Sequence, residues 1–225
     1  MPGAALVQPS AEQRRRLSRY LDELTRWSSG LNLTSVTRTQ ADSRHLSDVI
    51  ELLTVAPPAM GALCVDIGSG GGVPGIPLAI LRPDLRVTLL EKDRRKCGFL
   101  IHVAGLLELA GVEVLTARAE DTGHDPGRRE LYDIAVSRAA APAPVLCELG
   151  LPLLRRGGVL LAIMRDPAGA AGSAAAAAAA CGGAAPEPLS AGILRVRKAL
   201  STAADLPRRA GTPQRRPLGG TTLRG

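Results

Sequence analysis

The sequence predicts an α/β fold: a mostly parallel sheet with helices on both faces, preceded by an N-terminal helical extension. Three observations carry that expectation. From Leu63 onward, short strongly apolar runs alternate with stretches of helical spacing, as strands buried on both faces do. A glycine cluster, Gly68 to Gly75, follows the first of these runs. Hydrophobic residues make up 45% of the 225, enough for a sizeable core. The expected organisation is a helical extension over 1–60, a sheet domain over 61–200 and a basic, irregular tail over 201–225.

The elements follow in order. Ser10 and Gln13 have the spacing of a capping box. Leu17, Tyr20, Leu21, Leu24 and Trp27 then recur at helical spacing, with arginines opposite, and core packing is the expected role of that apolar stripe. Gly30 to Thr34 reads as a helix exit. A second helix is expected from about Asp42 to Val55, with Leu46, Val49, Ile50 and Leu53 inward, stopped by Pro57-Pro58. His45 and Asp48, three apart, share a face of it; the expected role of the pair is to position the helical extension. "ALCVDI", "RVTLLE", "VEVLTA", "YDIAVS" and "GVLLAIM" read as strands. "IPLAIL" reads as a short helix with Pro77 at its first position. Asp93 is placed to cap a helix that turns Cys97, Leu100, Ile101, Ala104 and Leu107 inward. Pro142 to Leu154 reads as a helix broken at Gly150 and Pro152. The alanine run after Met164 reads as a crossover helix capped by Gly182-Gly183, although its composition also suits a flexible insert. "ILRVRKAL" reads as a last strand.

Composition narrows the function classes. The formal charge is +7, which favours an anionic partner such as nucleic acid. Lysine occurs only at Lys92, Lys96 and Lys198 in an Ala-, Gly- and Pro-rich chain, so codon bias explains the arginine excess equally well. Cys64, Cys97, Cys147 and Cys181 lie far apart, which argues against a zinc site and for reduced thiols in a cytoplasmic protein. The first residues lack the order of a signal peptide, and no apolar run is long enough for a bilayer, so no membrane partner is expected. Tyr20, Trp27, Phe99 and Tyr132 are the four aromatic residues, too few for extended base-stacking platforms.

The chemistry centres on the glycine cluster. Gly70 to Gly75 spells G-x-G-x-x-G, and Asp66 to Gly72 spells acid-x-G-x-G-x-G. A glycine turn after a buried strand lets backbone approach a ligand. The first spelling suits a dinucleotide pyrophosphate. Asp66 argues otherwise, because a carboxylate at the strand's carboxyl edge would repel a pyrophosphate and attract the ammonium and sulfonium of S-adenosylmethionine. Glu91 ends the second strand about twenty residues after the glycines, where an acid accepts ribose hydroxyls; a solvated strand-end charge is the alternative. Ala119, Glu120 and Asp121 follow the third strand and could reach an adenine edge or merely cap a helix. Arg138 ends the fourth strand, placed for a carboxylate or phosphate, or for a structural ion pair.

With these residues in view, the chain resembles the RsmG (GidB) family of bacterial 16S ribosomal RNA methyltransferases, which methylate a guanine at N7. The matching pieces are "LNLTSV", "RHLSDVIELL", "VDIGSGGGVPGIPLAILRPDLRVTLLEKDRRKCGFL", "ARAED", "YDIAVSRAAAP" and "VRKALSTAADLPRRAGTPQRRPL", which together span most of residues 10 to 218. The resemblance implies a class I Rossmann-like methyltransferase fold with a helical cap, with residues 61–200 as the S-adenosylmethionine-dependent domain. It implies that Gly68, Val73, Ala119, Glu120 and Arg138 contact S-adenosylmethionine, beside the Gly70 and Glu91 already singled out. The chain departs from the family after "GVLLAIM", where Arg165-Asp166 replaces the usual Lys-Gly.

The implied partner is 16S ribosomal RNA or the assembling small subunit, bound by a protein expected to be monomeric. Candidate phosphate contacts are Arg14, Arg15, Arg16, Arg94, Arg95, Arg208, Arg209, Arg215 and Arg216. Guanine N7 carries a free lone pair, so no catalytic acid or base and no metal are expected, and proximity and alignment supply the rate. The alternatives are a small-molecule methyltransferase that shares the cofactor site, an NAD-dependent oxidoreductase using Gly70 to Gly75, and a binding module without catalysis.

Overall fold

A computed structural model describes residues 8–34, 38–41, 45–138 and 140–219. They divide into two compact units, one ending at Thr116 and the other beginning at Ala117.

The first unit opens with α1 (Ala11–Leu31). The capping box forms in full: Ser10 Oγ accepts from Gln13 N at 3.1 Å, and Gln13 Oε1 accepts from Ser10 N at 2.9 Å. Leu17, Tyr20, Leu21 and Leu24 are buried as expected. Trp27 is not: it sits at the rim, 36% exposed. Asn32 ends the helix in the left-handed conformation. A short helix, α2 (Arg38–Ala41), precedes the helix expected from Asp42; of the latter, residues 42–44 lie outside the described residues and the described part contains α3 (Ser47–Val55). In α3, Val49, Leu52 and Leu53 are buried.

β1 (Leu63–Ile67), β2 (Arg86–Glu91) and β3 (Val112–Thr116) pair in parallel, in the order β3-β2-β1. Between them run α4 (Gly75–Leu81) and α5 (Arg94–Leu106). Pro77 is the third residue of α4 rather than its first. The position still lies in the opening turn, where a missing N–H removes no intrahelical bond. Asp93 caps α5, its Oδ1 accepting from Arg95 N at 2.8 Å and Lys96 N at 3.3 Å. The buried stripe of α5 contains Cys97, Phe99, Leu100 and Val103, and Ile101 is 59% exposed. At about 100° per residue that stripe is centred near Val103 and Leu107, which turns Ile101 almost away from the core.

The second unit carries α6 (Ala119–Thr122), β4 (Tyr132–Arg138), α7 (Ala143–Gly150), β5 (Leu154–Ile163), α8 (Pro167–Ala180), β6 (Glu187–Pro188), β7 (Ile193–Arg197) and α9 (Thr212–Arg215). β4 and β5 are parallel, whereas β7 runs antiparallel to both β5 and β6. The sheet pairing is therefore mixed and mostly parallel, with helices flanking it. The alanine run forms α8, capped by Asp166, whose Oδ1 accepts from Gly169 N at 2.9 Å. Ala174, Ala177 and Ala178 are buried in its contact face. Asp166, a departure from the family pattern, thus starts this helix.

Candidate cofactor site

In the first unit, β1 delivers Asp66 and Ile67 to the loop Gly68–Pro74, which feeds α4. Gly68, Gly70 and Gly72 have φ of +69°, +53° and +91°, values that side chains with a Cβ rarely adopt. Close packing excludes a larger residue at two further positions. A Cβ on Gly71 would lie 2.7 Å from Leu24 Cδ1, and one on Gly75 would lie 2.3 Å from Leu89 Cδ2 and 2.7 Å from Asp66 Oδ2.

The loop turns its own amides inward. Gly68 N and Ser69 N donate to Leu90 O at 2.9 and 3.2 Å, and Gly72 N donates to Ser69 O at 2.6 Å. Gly70 N donates to Glu91 Oε2 at 3.0 Å, and Gly75 N to Asp66 Oδ2 at 3.1 Å. Ile76 N donates to Gly72 O at 2.7 Å, while Pro74 and Pro77 carry no N–H. A pyrophosphate cradle needs such groups aimed at the ligand. Those of Gly68, Ser69, Gly70, Gly72, Gly75 and Ile76 are engaged within the protein, which leaves Gly71 and Val73 as the loop amides without an acceptor among the described residues; so few aimed donors disfavour the dinucleotide reading and suit a ligand without phosphate.

Asp66 does this work differently from the expectation. It does not stand at the mouth of a pocket but lies fully buried beneath the loop. Oδ2 holds the first amide of α4, and Oδ1 has no hydrogen-bond partner among the described residues. Burial raises its pKa to about 7, against the Gly75 hydrogen bond and with help from the nearby Glu91 charge. The discrimination against pyrophosphate therefore lies in the loop's amides rather than in an exposed charge.

Glu91 ends β2 beside this loop. Its Oε2 accepts from Gly70 N and its Oε1 from Asp93 N at 2.9 Å. Each carboxylate oxygen retains a second acceptor direction, so two ribose hydroxyls could still be received. The structure thus brings Gly68, Gly70, Val73 and Glu91 to one strand-and-loop edge.

Two residues that support the loop had no signature in the sequence. Tyr20 is fully buried, and its hydroxyl donates to Gly71 O at 2.7 Å. Gln13, beyond its cap, donates Nε2 to Ile80 O and Leu81 O at 3.2 and 3.0 Å, satisfying the last carbonyls of α4. α1 therefore fixes both the loop and the far end of the helix it feeds. His45 is buried, with Nε2 3.1 Å from Thr34 Oγ1, which ties the exit of α1 to the start of α3.

In the second unit, Ala119 and Glu120 open α6 and Arg138 closes β4. Glu120 is buried, and its Oε1 accepts from Gly211 N at 2.9 Å. The basic tail, as far as it is described, is docked rather than free. Arg129 donates to the carbonyls of Gly123, Leu206, Thr202 and Ala203 at 2.6 to 2.9 Å. His124 Nε2 donates to Pro207 O at 2.7 Å. Glu148, wholly buried, receives Arg208 through N, Nε and Nη2 at 2.9, 2.8 and 2.6 Å. Arg208 is thus structural and not a phosphate contact. All four cysteines are free and buried, and burial pushes Cys147 and Cys181 up to about 12, so both remain neutral thiols.

A mostly parallel α/β sheet, a largely inward-bonded glycine loop after its first strand and an acid ending the second define a Rossmann-like domain of the S-adenosylmethionine-dependent methyltransferase class. A solved structure from Corynebacterium glutamicum shares the fold, with a TM-score of 0.53 at 18% identity over 86% of this chain and 92% of that one. Residues 13–178 match the family model described as rRNA small subunit methyltransferase G, and the chain belongs to that family. Relatives named ribosomal RNA small subunit methyltransferase G are similar along nearly the whole length. One from a Roseiflexus species is 39% identical over 96% of this chain and 95% of its own. One from Chloroflexus aggregans is 41% identical over 93% and 92%.

Proposed function

We propose that this protein transfers a methyl group from S-adenosylmethionine to N7 of a guanine in 16S ribosomal RNA. The observation that carries the reading is the glycine loop with most of its amides bonded inward, in a chain of the methyltransferase G family. Gly68, Gly70 and Val73 would line the S-adenosylmethionine site, Glu91 would receive ribose hydroxyls, and by resemblance Ala119, Glu120 and Arg138 are further contacts. When bound, S-adenosylmethionine supplies a methyl group already activated on a sulfonium. Guanine N7 presents a lone pair without a proton, so no side chain has to remove one. The chain's contribution is placement: the loop and Glu91 orient one reactant while arginines hold the other by its phosphates, and such alignment can reach effective molarities on the order of 10⁵ M. No helix among the described residues is long and apolar enough to cross a membrane, and the reading needs none.

The test is incubation with labelled S-adenosylmethionine and undermethylated 16S RNA, free or in small subunits, followed by strand cleavage selective for N7-methylguanosine. One guanine should acquire label. Label on another atom or on no RNA, with a small molecule methylated instead, would reject the assignment.

A further inference from the structure

We infer that the groove between α1 and α5 is a single-stranded RNA track in which one base stacks on Trp27 while Arg19 and Arg95 take flanking phosphates. The inference rests on the ribosomal RNA reading above and adds where that RNA lies. The groove encloses about 950 Å³ and is lined by Arg19, Arg26, Trp27, Gly30, Arg95 and His102, among others.

Trp27 supplies the platform. Tyr20, Phe99 and Tyr132 are buried, which leaves Trp27 as the aromatic ring at the surface. It is held rather than loose. Nε1 donates to Glu23 Oε2 at 3.3 Å, and the ring lies 5.8 Å from Phe99 and 5.3 Å from His102, tilted by 52° and 32°. A fixed, half-open indole loses little entropy on stacking, and every base offers a π face to it.

The charges around it are unequal. Glu23 is occupied by Arg26 and His102, each at 3.0 Å, and Asp22 by Arg38 at 2.6 Å. That leaves the exposed Arg19 and Arg95 as positive charge without a carboxylate partner among the described residues. Arg95 is oriented by a bond from Nη2 to Gly30 O at 3.1 Å, and its other N–H groups remain available for an anion. Arg19 and Leu106 also line a second hollow, of about 380 Å³, together with Arg15, Arg16, Glu12 and Glu108. There Glu12 already holds Arg15 and Arg16, so the phosphate contacts fall to Arg19 and Arg95.

The position is suitable. α5 starts three residues after Glu91, and Tyr20 and Leu24 of α1 rest on Gly71 of the glycine loop. RNA in the groove would leave it beside the loop.

The chain has one tryptophan, so emission excited at the red edge of the absorption band, where Tyr20 and Tyr132 do not absorb, reports this groove alone. Titrating the full-length protein with stripped 16S RNA, or with a guanine-containing single-stranded oligomer, should quench that emission to saturation, with an apparent Kd that rises steeply with salt. The joint variant Arg19→Ala with Arg95→Ala should raise the KM for RNA at least tenfold. It should flatten the salt slope by about 1.4, at roughly 0.7 per phosphate lost from a single strand, with the KM for S-adenosylmethionine unchanged. Trp27→Leu should weaken RNA binding by about 5- to 150-fold, the usual range for one lost stack, and Trp27→Phe should restore most of it. Methyl transfer that proceeds with emission unmoved by saturating RNA, or with an RNA KM and salt slope indifferent to the arginine pair, overturns the inference and leaves the proposed reaction standing. Quenching by RNA that is methylated neither free nor in small subunits supports the groove and rejects the reaction. Quenching by protein-bearing particles alone, never by stripped RNA, assigns the groove to a protein and also overturns the inference.

Discussion

Replacing Asp66 by Asn should change how stability depends on pH. Asp66 lies sealed under the glycine loop, with one carboxylate oxygen on Gly75 N and the other without a partner among the described residues. Burial lifts its pKa from 3.8 to about 7. The folded state therefore holds a proton that the unfolded chain releases. The stability this gives is complete below pH 3.8 and is lost as pH rises towards 7. Between pH 5 and pH 8 the linkage amounts to about 2 to 3 kcal/mol of lost unfolding free energy, at about 1.4 kcal/mol per pKa unit. Asn at 66 still offers an acceptor to Gly75 N but does not titrate. Its stability relative to the wild type should therefore improve by about that amount over the same range, whatever the offset at pH 5. Urea denaturation of both proteins at pH 5 and pH 8 measures it. Two curves that shift in parallel would refute the reasoning, because Asp66 would then be charged in both folded and unfolded chains throughout.

Three further outcomes are expected. Arg208→Ala leaves the buried Glu148 without its cation and should lower stability by about 3 kcal/mol, read as a fall in the urea midpoint; Glu148→Gln should be milder, because no charge is stranded. Tyr20→Phe removes the hydroxyl from Gly71 O, which should cost about 1 to 2 kcal/mol of stability and weaken S-adenosylmethionine binding measured by calorimetry. Glu91→Gln should weaken the same binding about 10- to 100-fold, as loss of charge-assisted hydrogen bonds worth about 1.5 to 3 kcal/mol implies, with the KM for RNA unaffected.

Local signals were legible. Ser10 with Gln13, Asp93 before α5 and the glycines after β1 announce their elements because cap and turn chemistry acts over three or four residues. The strands were legible for the same reason, as short apolar runs bounded by turns. What escaped depends on partners far along the chain. Tyr20 looks like one more apolar stripe member, and only its distance from Gly71 makes it a support for the loop. Trp27 has the same spacing, yet its ring meets Phe99 and His102 at the rim and stays 36% exposed. Ile101 was misplaced because period alone does not fix where a buried stripe is centred; Phe99 and Val103 fix it. Glu148 carries no signal in the sequence and Arg208 reads as a phosphate contact; sixty positions apart, they are paired only in the folded second unit. Asp66 was legible as a residue that matters, but its burial was not.

The docked tail also has a consequence for how this protein should be dissected. Arg129 acts as a keystone for the segment from Thr202 to Leu206, and Glu148 depends on Arg208 for its countercharge. Trimming the chain before Thr202 to ask whether basic residues grip RNA would strip acceptors from one ion and neutralisation from another. An inactive truncate would then report collapse of its own architecture, so charge-neutral point replacements on the exposed helix faces are the cleaner instrument.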